Sequence, residues 1–288
     1  MSKVVVLIIS HKEFLTDYEI ISLKRCYEVL FSYDIRLIVP ENLNVSHYRK
    51  YLPNPTFDFI DPIWQSTYAN FNKLKIASFL YKRYSCFEYI LFYEPDAYVF
   101  SNELDFWCNK GYDYIGAPWF TNCKSYESGN QLWRIGNGGF SLRKIQSHLH
   151  LLRNLKFIEF VYSYPDFSIK GHIANIDRLY EQFNTVISKE KSHFEENFVG
   201  NEDGFWSLYS KDLIDEFINS NKTKLAWVFK KAIIKQFNVP TPMEAVGFSF
   251  EQSPRYLFEL NQNKLPFGCH AWHKYDILFW KNHIQFNV

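Results

Sequence analysis

The chain has 288 residues, a formal net charge of +1, 47% hydrophobic residues and 22% charged residues. This balance excludes a disordered chain, and so slight a charge gives no general attraction to nucleic acid or to acidic partners. The length suits one large α/β domain or two small ones.

Val4 to Ile9 is a continuous, β-branched apolar run, as expected of a strand buried on both faces, and Ser10, His11 and Lys12 end it. From Tyr18 to Phe31, apolar residues at Ile20, Leu23, Tyr27 and Leu30 have helical spacing. Ile35 to Val39 is a second strand stopped by Pro40, and Phe57 to Ile60 a third. Phe71 to Tyr84 repeats the helical pattern through Leu74, Ala77, Phe79 and Leu80, and Tyr89 to Tyr93 is a fourth strand. The succession predicts a mainly parallel α/β sheet. The second half is less regular. Tyr112 to Ile115 reads as a strand, Asn122 to Gln131 as a polar loop, and Leu149 to Tyr162 and Asp212 to Ile218 as helices. No repeat, low-complexity tract or linker is visible. A single domain over 1–288 with two functional halves, divided at about residue 120, is expected.

Aromatic residues reach 19%, and most are expected to serve packing rather than stacking on ligands. The five cysteines, Cys26, Cys86, Cys108, Cys123 and Cys269, are odd in number and form no CxxC pair. That argues against a disulfide framework or a structural zinc site and for a reducing cytoplasm. The apolar run in MSKVVVLIIS is too short for a signal peptide, and no stretch is long enough to span a bilayer.

Ligands of open parallel sheets bind outside the carboxyl ends of the strands. Two such ends carry unusual polar residues: Ser10-His11-Lys12, and Glu94-Pro95-Asp96 within FYEPDAYVF. Acids at the end of a buried strand are costly unless paired, hydrogen-bonded or bound to a cation, and a hard divalent ion takes carboxylate oxygens. The plainer reading is a strand-end turn. GNGGFSLR (136–143) allows close backbone approach to a ligand or is simply a tight turn. NEDGFWS (201–207) offers adjacent acids and Trp206, or a capped helix start. In FGCHAW (267–272), His270 is a metal ligand or a hydrogen-bonded core histidine.

Taken in order, EPDAYVF, YDYIGAPWF, GNGGFSLR, NEDGFW and LPFGCHAW, with SLKRCYEVL near the start, resemble a bacterial family of glycosyltransferases long catalogued as a domain of unknown function. The resemblance covers nearly the whole chain. It implies a GT-A-like fold, in which a Rossmann-like nucleotide-binding half and an acceptor-binding half share one sheet. It also implies a divalent ion, manganese or magnesium, held at the acid-x-acid motif. This motif reads Glu94-Pro95-Asp96 here, so Asp96 is the first choice of ligand, joined by His270 and then Glu94. The family pattern makes Asp203 the expected base and Glu202 the second choice. Trp119, Asn137, Gly138, Gly139 and Trp206 would shape the sugar and acceptor pocket, while Ser10, His11, Lys73 and Asp96 would contact the nucleotide sugar.

The implied reaction is metal-dependent transfer of a sugar from a nucleoside-diphosphate sugar to a glycan or lipid-linked glycan, with inversion. A cation would offset charge on the leaving diphosphate, and a carboxylate would take the acceptor proton. The lysine-rich stretch KTKLAWVFKKAIIKQF (222–237) reads either as an amphipathic helix packed on the domain or as a contact with the anionic inner face of the cell membrane. Two other functions compete. One is a non-catalytic glycan- or nucleotide-binding module on the same fold, and the other a nucleotidyltransferase. The lack of glycine in Ser10-His11-Lys12-Glu13 argues against the latter.

Overall fold

The computed structural model describes residues 3–121, 131–162, 181, 184–186, 188–219 and 237–286. Its strands are β1 (Val4–Ile9), β2 (Asp34–Pro40), β3 (Thr56–Ile60), β4 (Tyr89–Tyr93), β5 (Tyr98–Val99), β6 (Tyr114–Ile115), β7 (Pro118–Phe120), β8 (Leu132–Ile135), β9 (Phe140–Lys144), β10 (Ser249–Phe250) and β11 (Gly268–Cys269). The helices that matter most for the site are α1 (Asp17–Val29), α2 (Ser46–Tyr51), α3 (Tyr68–Ile76) and α4 (Ser78–Arg83).

The main sheet has the order β3-β2-β1-β4-β9-β6. β1 pairs in parallel with β2 and with β4, and β2 in parallel with β3. β9 runs antiparallel to both β4 and β6. The expected mixed, mainly parallel α/β architecture is therefore present. Every residue of β1 and β4 is buried, which accounts for their uninterrupted apolar runs. The chain builds outward from β1 through β2 to β3 and then returns to β1's other side with β4. The gap between the ends of β1 and β4 is thus the topological switch point of the sheet.

A second, three-stranded sheet has the order β10-β11-β5. β11 pairs antiparallel with β5, Cys269 facing Tyr98, and parallel with β10, Cys269 facing Phe250. This sheet carries the residues that follow β4 and those that follow β11 to one place. Aromatic side chains do serve packing: Trp206, Trp272, Trp280, Tyr48, Tyr81 and Tyr93 are all fully buried.

Three expectations need adjustment. The helix expected over Phe71 to Tyr84 is interrupted at Ala77, whose ψ of 129° is extended, and α3 and α4 flank it. The apolar pattern runs through the break because both pieces bury their inner faces. The strand expected over Tyr112 to Ile115 is confined to β6. The loop expected at 122–131 and the lysine-rich stretch at 222–237 fall almost wholly outside the described residues. Among the described residues no helix is long and apolar enough to cross a membrane.

Candidate active site at the sheet switch point

β4 delivers Glu94 just beyond its last residue, and the Glu94 amide donates to the Gly139 carbonyl across 2.7 Å. Asp96 follows before β5. Pairing of β5 with β11 brings His270, the residue after β11, over both acids. His270 Nε2 lies 3.1 Å from Asp96 Oδ1 and 3.4 Å from Glu94 Oε2. It is a buried nitrogen with no hydrogen-bond partner. The opposite ring nitrogen, Nδ1, lies 3.1 Å from Glu251 Oε1 and donates to it. Glu251 thereby holds Nδ1 as the donor and leaves Nε2 turned toward the carboxylates, the orientation found in metal-bound histidines.

Each acid divides its two oxygens. Glu94 Oε1 accepts from Lys75 Nζ, and Asp96 Oδ2 accepts from Lys274 Nζ at 2.9 Å. The other oxygen of each acid faces His270. One nitrogen and two carboxylate oxygens thus converge, and these potential ligand atoms lie within 4.8 Å of one another. The donor set fits a hard divalent ion such as manganese or magnesium. The electrostatics point the same way. Burial opposes ionisation of Glu94, but the Lys75 and His270 charges outweigh it and lower its pKa to about 2. Burial is likewise outweighed at Asp96, where His270 and Lys274 hold the carboxyl well below its usual range. Burial alone would lower the His270 pKa, yet Asp96, Glu251 and Glu94 drive it well above the ordinary value. A proton on His270 and a divalent ion are alternative ways of offsetting the same two carboxylates.

Beside this cluster opens a cavity of about 410 Å³ between the ends of β1 and β4 and the start of α3. Ser10, His11, Glu94 and Asp96 line it, together with Tyr68 and Phe71. The Ser10 hydroxyl is engaged by Tyr48 Oη at 2.7 Å. Lys73, expected at the nucleotide, does not line this cavity. The α3 cation that reaches the site is Lys75, two positions on and 2% exposed.

The glycine-rich turn between β8 and β9 connects the cluster to the NEDG segment. Asn137 adopts a left-handed φ of 63°, a conformation asparagine tolerates. Its Oδ1 accepts from the Gly139 amide at 3.1 Å, and its own amide donates to Asp203 Oδ2 at 3.0 Å. Close approach explains the two glycines that follow. A Cβ on Gly138 would stand 1.5 Å from the Glu202 carboxylate, and one on Gly139 would stand 2.2 Å from the His270 ring. Trp119, in β7, lays its ring against Gly136.

The two neighbouring acids differ sharply. Glu202 is buried, and its Oε1 receives Arg143 at 2.7 Å and Lys75 at 3.1 Å. Burial is outweighed by these cations, so its pKa is lowered. A carboxylate so held is a poor proton acceptor, which corrects its expected standing as second-choice base. Among the described residues no cation is hydrogen-bonded to Asp203. Burial and then the charge of Glu202 raise its pKa to about 6, although the Gly204 amide donates to its Oδ1 at 2.7 Å and the more distant Lys75 charge offsets part of the rise. This places a carboxyl near neutrality, where a general base works best. Trp206 differs as well. It is fully buried against Tyr81, His148 and Phe205 and does not line the cavity beside Glu94 and Asp96.

Sequence reading missed Lys75, Arg143, Lys274 and Glu251. Glu251 follows β10, whose register with β11 sets it beside His270, a relationship visible only once the strands are paired.

Fold and site together define a Rossmann-like α/β protein with a carboxylate–histidine cluster at its switch point. The chain belongs to the family described as protein of unknown function (DUF5672), whose sequence profile matches residues 54–270. The matched span takes in EPDAYVF and the later motifs as far as His270, and the family is one of unknown function, as the resemblance implied; SLKRCYEVL lies outside the match. No curated protein matches the chain. Among solved structures it is similar to the mannosyltransferase Ktr4p from S. cerevisiae, with 17% identity, a TM-score of 0.33, and 44% of this chain and 40% of that one covered. It is similar to a glycosyltransferase involved in glycosylation of the major capsid of PBCV-1, with 9% identity, a TM-score of 0.41, and 94% and 93% covered. It is also similar to the galactosyltransferase LgtC in complex with donor and acceptor sugar analogs, with 12% identity, a TM-score of 0.39, and 94% and 99% covered.

Proposed function

We propose that the protein is a metal-dependent glycosyltransferase that moves a sugar from a nucleoside-diphosphate sugar to a glycan or lipid-linked glycan, with inversion. The observation that carries this reading is the junction at the glycine turn. Gly139 is bonded to Glu94 of the cation cluster, and Asn137, two residues earlier, to the Asp203 carboxylate. A cation site beside a cavity and a base of near-neutral pKa are what transfer to a hydroxyl requires.

The nucleotide lies in the cavity beside Ser10, His11, Tyr68 and Phe71. Asp96, His270 and Glu94 would hold the ion, manganese or magnesium, and Glu251 orients His270. When bound, the ion supplies positive charge against the diphosphate as it leaves. Asp203 accepts the proton of the acceptor hydroxyl as that oxygen bonds to the anomeric carbon and the bond from that carbon to the diphosphate breaks. One base and one displacement invert the anomeric centre. Trp119 and the Asn137–Gly139 turn border the acceptor. The place of action is the cytoplasm, at the inner membrane face where the acceptor is lipid-linked.

The test is a thermal-shift panel of nucleoside diphosphates and nucleotide sugars with and without manganese. Ligand at about a hundred times its dissociation constant stabilises a fold by roughly 2.7 kcal/mol. Stabilisation by a nucleotide that requires manganese and is lost in Asp96→Ala is the expected result. A protein that no nucleotide stabilises is not this transferase.

A further inference from the structure

Helix α3 carries three polar side chains at positions i, i+4 and i+7, which place them on one face. All three meet the NEDG segment. Tyr68 Oη donates to Asn201 Oδ1 at 3.0 Å. Asn72 Oδ1 accepts from the Glu202 amide at 2.9 Å. Lys75 Nζ donates to Glu202 Oε1 at 3.1 Å and also to Glu94 Oε1. Lys75 is therefore one buried cation shared by a carboxylate of the cation cluster and the carboxylate adjoining Asp203. Arg143 completes the group by donating to the same Glu202 oxygen. The two cations and two anions balance.

Burying Lys75, Arg143 and Glu202, with Glu94 half-buried beside them, for stability alone is inefficient, because apolar side chains of similar volume commonly hold a core as well or better. What the ionic arrangement adds is a fixed distance and direction between two segments far apart in the chain. The same helix also borders the donor cavity through Tyr68 and Phe71.

We propose that α3 is the spacer that sets Asp203 against Glu94, with Lys75 as its positioning residue and Asn72 and Tyr68 as its secondary ties. The proposal rests on the reading of Asp203 as the acceptor-activating base. Lys75 does not line the cavity and acts through Glu94 and Glu202. A displacement of about 1 Å at a reacting group can cost on the order of a hundred-fold in rate, so loss of the spacer is expected in kcat rather than in donor KM.

The experiment compares Lys75→Met, Asn72→Ala, Tyr68→Phe and Lys75→Arg with the wild type by amide hydrogen exchange and by steady-state transfer. In Lys75→Met and Asn72→Ala the amides of residues 201–204 should exchange faster while those of β1 and β4 keep their protection. Turnover should fall about a hundred-fold in Lys75→Met and less in Asn72→Ala, with donor KM nearly constant in both; Tyr68→Phe, at a residue that borders the donor cavity, is read by exchange at 201–204 alone. Lys75→Arg should recover part of the loss. Manganese should still stabilise Lys75→Met in a thermal shift, because the cluster ligands remain. Asn72→Ala keeps every charge and serves if Lys75→Met does not fold. Unchanged exchange at 201–204 in the variants overturns the proposal, as does loosened exchange with kcat intact. Turnover that survives Asp203→Asn removes the base reading instead, and the exchange measurement still decides whether the stripe holds the segment.

Discussion

The backbone amide of Asn137 donates to the carboxylate of Asp203 across 3.0 Å, joining two loops 66 residues apart. The bond fixes one carboxylate oxygen while burial and the neighbouring Glu202 charge hold the group near neutrality. That combination gives the first prediction. Asp203→Asn should lower kcat by roughly 10²–10⁴-fold with nucleotide-dependent thermal shifts preserved. In the wild type, activity should rise with pH through about 6, as the base ionises.

Stability should move in the opposite sense. Between the ordinary 3.8 and about 6 the native Asp203 keeps a proton that the unfolded chain has lost. Its contribution to stability is therefore largest at acid pH and falls as pH rises through about 6. Asp203→Asn lacks this loss. Urea unfolding from pH 4 to 8 should show the variant gaining on the wild type by up to about 3 kcal/mol. A gap that does not widen with pH would mean that Asp203 is not held protonated.

Glu251 gives a prediction separable from catalysis. Glu251→Gln keeps the size of the side chain and removes the carboxylate that receives His270 Nδ1. Loss of such an outer carboxylate typically costs 10–100-fold in metal affinity, so manganese binding, titrated by the paramagnetic signal of the free ion, should weaken by about that factor. His270→Ala should weaken it further. Equal manganese affinity in all three proteins would remove His270 from the cation site.

Gly138→Ala tests the close approach of the turn to Glu202. The added methyl would meet the carboxylate that anchors Arg143 and Lys75. The Glu202 side chain must move to make room, and the expected cost is about 1–3 kcal/mol. Thermal unfolding of Gly138→Ala measures it. A melting temperature equal to the wild type would show that Glu202 yields freely.

Trp206→Ala should behave as a core truncation and not as a binding-site change. The side chain is fully buried among Tyr81, His148 and Phe205, so about 3–5 kcal/mol of stability should be lost. In whatever fraction remains folded, nucleotide affinity should be unchanged. Affinity lost in step with intact folding would restore Trp206 to the pocket.

What was legible in the sequence follows from the physics of each element. The strands of the parallel half announce themselves because burial on both faces demands unbroken apolar runs such as Val4 to Ile9. The strand-end acids stand out because carboxylates are costly there. Lys75 was invisible because a lysine in a helix reads as solvated, and nothing local says that its partners are Glu94 and Glu202. Lys73 does not line the cavity, and the two residues that separate it from Lys75 turn an α-helix by about 200°. Trp206 misled in the converse way: beside two acids it suggested a stacking surface, whereas the helix turn that carries it directs it inward. Glu251 needed the β10–β11 register, which no local pattern encodes.

The nitrogen of the cation cluster comes from the far end of the described chain, held by a strand of two residues paired with β5. Its acids come from the end of β4, and the turn that supports them from the β8–β9 connection. No stretch of sequence holds a working part of the site by itself. A folding intermediate that has zipped β1 to β4 but not docked β11 would own two carboxylates and no histidine, and closing that long loop is among the slower steps expected of the chain. On the proposed function, tight manganese binding would therefore be a late event, and its time course would read out when topology is complete rather than when the sheet first forms.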